Sequence, residues 1–261
     1  MSAKALNKTK IYFFLLAAVM TLAYACSSSS ESKGNRKKGS QENEIVVSNI
    51  EGAGQKIEIS FIKGKKHNHP TFAIWLEDTE GRYIQTLFVT RAIGQGVFTY
   101  GDKKSGHWEP GEVRRPAALP YWAHKRGVKA EDGLYIPSPK NPVPDAYSGA
   151  TPKGNFQLQS RFDKQMKGKV KVWMEINQTW DWNEYWTNNK YPDDMNYKTS
   201  CQPSLVYSSS EIDLESASGD FSLNPVGHGH YSGKDGSLDP DLSTLTTARQ
   251  IAESISLKVI R

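Results

Sequence analysis

The chain has 261 residues, of which 37% are hydrophobic, 23% charged and 11% aromatic, which excludes a disordered polyampholyte and a multi-span membrane protein. Its formal charge of +5 includes three lysines in residues 1–25, a stretch without acids. Residues 26–261 therefore contain 30 of the 33 basic side chains and all 28 acidic ones. This near balance predicts no nucleic-acid partner.

The first 25 residues are typical of a secretory signal peptide. Their three lysines precede an apolar run over residues 11–25 that is too short to span a bilayer comfortably. Cys26 follows the small residue Ala25 in a context that resembles a bacterial lipobox, although Leu22 stands four places before the cysteine rather than three. We predict that Cys26 becomes the lipidated N-terminus, with plain cleavage or a retained anchor as the alternatives.

Residues 26–44 are rich in Ser, Lys, Gly and Asn, which predicts a flexible tether before a single β-sandwich domain over residues 45–261. Ser27, rather than Asp, follows the cysteine, and this favours an outer-membrane lipoprotein that faces the periplasm or the cell surface. The membrane is then a partner through the lipid anchor. Cys201 has no intrachain partner after lipidation, and we expect a buried or idle thiol.

Strand patterns dominate the rest of the chain. Apolar and polar residues alternate, or β-branched and aromatic residues accumulate, in eight segments. These are residues 45–47, 56–61, 71–77, 83–89, 155–162, 169–177, 205–213 and 255–260. Gly81 suits the turn of a hairpin between the third and fourth segments, in which Trp75 and Leu87 are expected to face the sandwich core.

Helical patterns are few. Pro116 and Pro120 allow at most one short turn over residues 115–125, whereas Leu242–Ser254 has the apolar spacing of a helix. The whole pattern predicts an all-β fold, an antiparallel Ig-like β-sandwich with long loops, especially over residues 94–155, and one short helix near the C-terminus.

The hairpin also carries a family resemblance. Residues 73–87, Ala-Ile-Trp-Leu-Glu-Asp-Thr-Glu-Gly-Arg-Tyr-Ile-Gln-Thr-Leu, resemble the signature of the predicted periplasmic domain-of-unknown-function 2271 family. The resemblance extends over about residues 55–261 and includes Leu119–Trp122, Asp145–Thr151 and Gly227–His230. It implies a bacterial envelope location, and some members are similar in genomic setting to extracytosolic flavin-based electron-transfer systems. It implies no established activity.

Residues 145–151, Asp-Ala-Tyr-Ser-Gly-Ala-Thr, resemble the acceptor motif of flavin-carrying proteins, in which an FAD:protein FMN transferase attaches FMN to the final threonine through a phosphoester bond. The resemblance implies that Thr151 is the acceptor and that Ser148 hydrogen-bonds the phosphate. It also implies that Gly149 and Ala150 permit close approach.

Such a segment must be exposed and pliable, and the prolines at positions 142, 144 and 152 favour a non-strand loop. Alternatively, the segment is a glycine turn that starts the strand at Asn155, with Asp145 as its cap.

Two His-x-His pairs are candidate metal ligands, because residues i and i+2 of a strand point to one face. His228 and His230 lie in a glycine-rich stretch followed by aspartates, and they are the better pair for zinc or copper. In the alternative interpretation both hydrogen-bond backbone, and His67 is a solvated surface residue.

Residues 180–191 contain five aromatic side chains among amides and acids. On a surface they would form a platform for stacking sugars or flavin, but in a sandwich they more often cover an open end of the core, and we favour the second interpretation. Glu175, Asp181 and Glu184 are not assigned as a glycosidase pair, because a sequence does not show the separation of carboxyl groups.

The sequence shows no phosphate-binding glycine loop, nucleophile elbow or metalloprotease helix. We therefore expect a non-catalytic cell-envelope lipoprotein, an accessory or binding protein linked to extracytosolic flavin-based redox or metal systems. One alternative is a covalent FMN carrier modified at Thr151, with the transferase or envelope redox proteins as partners. The other is an envelope glycan-acting enzyme or a carbohydrate-binding module.

Overall fold

A computed structural model describes residues 43–260, and most of its regular structure is β-strand. The strands are β1 (Glu44–Val47), β2 (Lys56–Lys63), β3 (Thr71–Asp78), β4 (Tyr83–Thr90), β5 (Val97–Asp102), β6 (Glu109–Glu112), β7 (Ser148–Gly149), β8 (Phe156–Arg161), β9 (Lys169–Asn177), β10 (Leu205–Ser208), β11 (Ile212–Asp213), β12 (Phe221–Ser222), β13 (Asn224–His228) and β14 (Ala252–Ile260).

The α-helices are short: α1 (Arg91–Gln95), α2 (Pro120–Arg126) and α3 (Met195–Ser200). Two 3-10 helices cover Asp145–Tyr147 and Ala248–Gln250. Within residues 43–260, none of the helices combines the length and the apolar character that a bilayer crossing requires.

Two sheets build the sandwich. The first has the strand order β1-β8-β2-β14-β12 and the second β13-β10-β9-β3-β4-β7, with β11 also paired to β9. Within the two sheets, neighbours are antiparallel except for the pairs β1 with β8 and β4 with β7. Strands β5 and β6 form a separate hairpin. The predicted all-β sandwich is therefore confirmed.

The sandwich core lies between the two sheets. Its centre is a stack of phenylalanines: the Phe156 ring of the first sheet lies 5.3 Å from Phe72 of the second and 4.9 Å from Phe61 of its own sheet. Strand β9 places Met174 and its other even-numbered residues in this core. Alternation along the strand sends Trp173 and its other odd-numbered residues to the opposite face of the second sheet.

A second core covers that opposite face. The long connection between β4 and β8 folds back across it and brings α2 onto the sheet, where Leu119 and Trp122 are buried with Trp75 and Val89. The central strands of the second sheet are consequently buried on both faces. This explains why β3 has no exposed residue.

The hairpin of β3 and β4 forms with Gly81 in the left-handed conformation, at φ 77°, as its sequence predicted. The prediction that both Trp75 and Leu87 face the sandwich core is correct only for Leu87. Trp75 is fully buried, but in the second core. The reason is that a strand whose two faces are both covered buries a large side chain equally well on either.

Two helix predictions also need correction. The segment predicted as a helix over residues 242–254 contains only the 3-10 helix Ala248–Gln250, and β14 begins at Ala252. Leu245, Ala248 and Ile251 are all buried. Their spacing of three residues suits a 3-10 turn as well as an α-helix. Helix α2 is longer than predicted, because Pro120 occupies its first turn, where a missing N–H costs nothing.

The predicted single strand over residues 205–213 is interrupted. Strands β10 and β11 both pair with β9, but residues 209–211 between them leave the strand. Ser209 instead bonds twice to Val172 of β9, through its backbone N–H and its hydroxyl.

Candidate functional site

Cys26, the predicted lipidation site, lies outside the described residues, as do residues 1–42 as a whole. Its lipidation stays a prediction. Cys201 is buried, and burial raises the pKa of its thiol, so the neutral form is favoured.

The predicted flavin-acceptor segment is not the free loop that its prolines indicated. Ser148 and Gly149 form β7, which pairs in parallel with the edge of β4. Ser148 is buried, and a Cβ on Gly149 would lie 2.8 Å from the Phe88 ring, so close packing requires the glycine there. The strand is possible because each proline falls outside the paired residues.

The remaining residues of the segment surround β7. Asp145 does not cap a strand; its carboxylate accepts a hydrogen bond of 3.1 Å from the Gln95 side chain. Ala150 is exposed and Thr151 half-buried. A transferase could reach Thr151 without opening the sheet, but a phosphate bonded to Ser148 would require β7 to move. FMN attachment at Thr151 stays a prediction.

The two histidines of the predicted metal site have other contacts. His228 ends β13 with its Nδ1 2.8 Å from the Gly229 carbonyl oxygen and its Nε2 3.8 Å from an Asp239 carboxylate oxygen. His230 stacks on the Tyr231 ring, and its Nδ1 accepts the backbone N–H of Ser232.

Across residues 43–260, no group of three or more His, Cys, Asp or Glu side chains is arranged to hold a metal ion. The site at His228 and His230 stays a prediction from their spacing.

The three carboxylates near the aromatic cluster do not meet in a cleft. Glu175 is fully buried, Asp181 half-buried and Glu184 exposed. Glu175 accepts the backbone N–H groups of Tyr121 and Trp122 at the start of α2, and the Ser204 hydroxyl. It thereby fixes α2 to β9 and has no open side toward solvent.

The aromatic cluster of residues 180–191 is split between two roles. Trp186 is 8% exposed, and its Nε1 donates to the Thr244 hydroxyl at 2.9 Å. Together with Tyr191, Tyr197 and Tyr231 it forms the aromatic cover of the core that the sequence favoured.

The other aromatic side chains of the cluster point into solvent. Trp180 is 66% exposed, Trp182 55% and Tyr185 48%. For these three the core-covering interpretation is wrong. Asp181, between the two tryptophans, points inward, so the indoles occupy alternate positions on the outward side of one segment.

The two exposed tryptophans form the tryptophan surface, a shallow depression of about 560 Å³. Its other lining residues are Asn188, Asn189 and Lys198. Apolar rings, two amides and one cation therefore share a surface that is open to solvent.

The backbone beneath the tryptophan surface is tightly fixed. Trp180 is in the left-handed conformation, at φ 57°, and its N–H donates to the Thr199 carbonyl. The N–H of Asp181 bonds the Ser200 carbonyl, and its own carbonyl accepts both the backbone and the side-chain N–H of Gln202. These bonds connect the segment to α3 and to Gln202, in the connection between α3 and β10.

Asn183 fixes the C-terminal side of the same segment. The two N–H groups of its amide nitrogen share three acceptors at 2.8–2.9 Å: the Thr244 carbonyl, the Thr246 hydroxyl and the Gln202 side-chain oxygen. Its amide oxygen accepts the backbone N–H groups of Tyr185 and Trp186. The exposed rings are therefore carried by a rigid base, which reduces the ordering cost of binding a ligand.

Comparisons of the chain with protein-family models, with curated proteins and with solved structures find no match. The resemblance to the 2271 family stays a prediction from residues 73–87 and the shorter motifs.

The sequence indicated the aromatic cluster but not which rings it exposes. The only local signal was the residue type that follows each tryptophan. Asp181 and Asn183 have side chains of the kind that commonly hydrogen-bond to backbone in loops. An alternation of Trp, Asp, Trp and Asn therefore predicts polar side chains turned inward to bond the loop and rings turned outward.

Proposed function

We propose that the protein is a non-catalytic, lipid-anchored binding protein of the bacterial cell envelope, and that its β-sandwich binds glycan at the tryptophan surface. One observation carries the proposal. Trp180 and Trp182 keep more than half of their surface in solvent while the segment between them is held by hydrogen bonds on both sides.

The chemistry of the tryptophan surface suits a pyranose. The axial C–H groups of a sugar ring form an apolar face with partial positive charge, which is attracted to the negative face of an indole. Asn188 and Asn189 supply amide donors and acceptors for hydroxyl groups at the rim. Lys198 adds a cation that favours glycans with acidic groups.

The carboxylates support binding without catalysis. Glycoside hydrolysis needs two carboxyl groups on either side of a bond. Glu175 is enclosed beneath α2 and Asp181 turns away from the tryptophan surface, which leaves Glu184 as the exposed carboxylate of the three.

The anchor part of the proposal rests on the sequence: the basic head, the apolar run and Cys26 after a small residue. Residues 27–43 give the domain a polar spacer before β1, long enough to let it reach a glycan network near its membrane.

Retention on insoluble glycan tests the binding function. We expect the chain without residues 1–25 to sediment with purified peptidoglycan, with chitin and cellulose as further β-linked pyranose glycans. The double variant Trp180→Ala/Trp182→Ala should lose retention by tenfold or more. The matched control is Trp108→Ala, which removes a tryptophan that is 60% exposed on the β5–β6 hairpin.

Equal retention of the double variant and the control would contradict the proposal, as would failure of the parent chain to sediment with any of the three glycans. The double variant removes two rings that are mostly exposed to solvent. Its melting temperature should therefore match that of the control.

A further inference from the structure

A second cavity, of about 330 Å³, lies at the C-terminal end of α2, away from the tryptophan surface. Its lining combines one cation with tyrosine, proline and valine side chains. They include Arg126, Tyr83, Val128, Val143 and Tyr147. We propose that this cavity, the Arg126 cavity, binds a small organic anion whose carboxylate or phosphate is held by Arg126.

Arg126 is the reason for an anionic ligand. Its guanidinium lines the cavity and forms no ion pair among residues 43–260. Its Nη1 is enclosed and has no hydrogen-bond partner among these residues, and the Nε and Nη2 donors, which are not enclosed, also make no hydrogen bond to them. A buried donor without a partner loses the free energy of its bond to water. A planar guanidinium with free N–H groups is well suited to bind a carboxylate or phosphate through two parallel hydrogen bonds.

The acidic side chain of the cavity is already engaged. One carboxylate oxygen of Asp163 accepts hydrogen bonds from Tyr147, at 2.7 Å, from Asn49, at 2.9 Å, and from Gln85, at 3.3 Å. These donors fix the Asp163 carboxylate, and within residues 43–260 it forms no ion pair with Arg126. The Arg126 guanidinium therefore has no ionic partner among residues 43–260.

The walls of the cavity define the rest of the ligand. Pro142, Val143 and Pro144 give apolar contacts on one side, and the Tyr83 and Tyr147 rings lie among the lining residues. Such walls favour a ligand with a compact aromatic or aliphatic body rather than a fully hydrated ion.

A structural role alone accounts for Arg126 less well. Its guanidinium lies 5.6 Å from the centre of the Trp122 ring, and a cation at the end of a helix is favourable. Neither the cation–π interaction nor the position at the helix end gives Nη1 a hydrogen-bond acceptor. Burial lowers the pKa of Arg126, but an arginine remains charged at neutral pH.

Calorimetric titration of the full domain tests the proposal with three probes: benzoate, the neutral isostere benzamide, and inorganic phosphate. We expect saturable binding of benzoate or phosphate, and the stronger of the two identifies the anion. Benzamide should bind at least tenfold more weakly than benzoate. Arg126→Gln should weaken anion binding by tenfold or more, whereas Arg249→Gln, the same change at an exposed arginine outside the cavity, should not.

Val128→Trp provides a second variant that does not depend on Arg126. Val128 is 37% exposed at the cavity, so a larger side chain there should block the cavity and weaken anion binding without unfolding the domain. The proposal would be overturned by failure of both anions to bind, by equal binding of benzoate and benzamide, or by equal binding to Arg126→Gln and Arg249→Gln. These outcomes are independent of glycan retention, since the two sites share no lining residue.

Discussion

The hydroxyl of Thr247 donates a hydrogen bond of 2.6 Å to the carboxylate of Asp181, 66 positions earlier in the chain. The second oxygen of that carboxylate is buried and has no partner within residues 43–260. Burial raises the pKa of Asp181, and the Thr247 bond opposes that shift. Together with the bonds from Asn183 to Thr244 and Thr246, this contact connects the segment that carries Trp180 and Trp182 to the turn before β14.

Thr247→Val should loosen the tryptophan surface. Valine keeps the shape of threonine but leaves a half-buried carboxylate with one bond fewer, which should cost about 1–3 kcal/mol of unfolding free energy. Glycan retention should fall by a factor of three or more, because the two indoles lose their fixed spacing. Chemical denaturation and sedimentation measure the two effects. Thr79→Val, in the exposed turn of the β3–β4 hairpin, should change neither.

Glu175 should make stability depend on pH. Burial raises its pKa to about 7 from an ordinary value of 4.5, and the hydrogen bonds from Ser204, Trp122 and Tyr121 offset only part of the effect. As the pH rises, the Glu175 carboxyl group loses its proton in the unfolded chain first, near pH 4.5, and in the folded protein only near pH 7. The stability of the fold is therefore highest below about pH 4.5 with respect to this group, and it falls as the pH rises from about 4.5 to about 7.

Glu175→Gln should remove this decrease of stability with rising pH. Between pH 5 and pH 8 the parent should lose about 2–3 kcal/mol more unfolding free energy than the variant, from the linkage of proton binding to folding. Urea denaturation at both pH values gives the difference. Parallel pH profiles of parent and variant would show that Glu175 stays ionised beneath α2.

Trp75→Ala should destabilise the fold by about 3–5 kcal/mol, the usual cost of truncating a fully buried aromatic side chain. Its indole N–H also donates to the buried Glu77 carboxylate at 2.8 Å, and that acceptor would lose a bond. Trp108→Ala, on the exposed hairpin, should lie within about 0.5 kcal/mol of the parent. A similar melting temperature for both variants would contradict the second core.

The strands could be predicted from sequence because their signal is local. The eight predicted segments correspond to nine of the strands in the two sheets, and β9 was predicted from Lys169 to Asn177 without error. The side on which Trp75 is buried could not be predicted, since it depends on the covering of the second sheet by α2, whose residues begin 45 positions later. The alternation of side chains along a strand shows which residues share a face, but it does not show which other element covers that face.

The candidate sites show the same limit. Aromatic composition pointed to residues 180–191, but exposure of Trp180 and burial of Trp186 depend on contacts with Thr199 and Thr244. Arg126 carried no sequence signal, because an arginine at the end of a helix is ordinary. Only the packing around it shows that its buried Nη1 has no partner.

Cys26→Ala tests the anchor. We expect the parent to fractionate with membranes and to carry lipid mass, and the variant to be released, because the acyl chains contribute about 0.8 kcal/mol for each CH₂ group that they bury. Fractionation with immunoblotting and intact mass measure both properties. Continued membrane association of the variant, with no lipid mass on the parent, would show that another element holds the protein.

The most direct measurement of glycan binding follows the indole N–H signals in a heteronuclear NMR spectrum as soluble peptidoglycan or chitin oligosaccharides are added. Trp180, Trp182 and Trp108 are all exposed, so the three tryptophans report from two different surfaces of one sample. We predict saturable shifts of the Trp180 and Trp182 signals and a constant Trp108 signal. Unchanged Trp180 and Trp182 signals at saturating oligosaccharide, or equal shifts of all three, would contradict binding at the tryptophan surface.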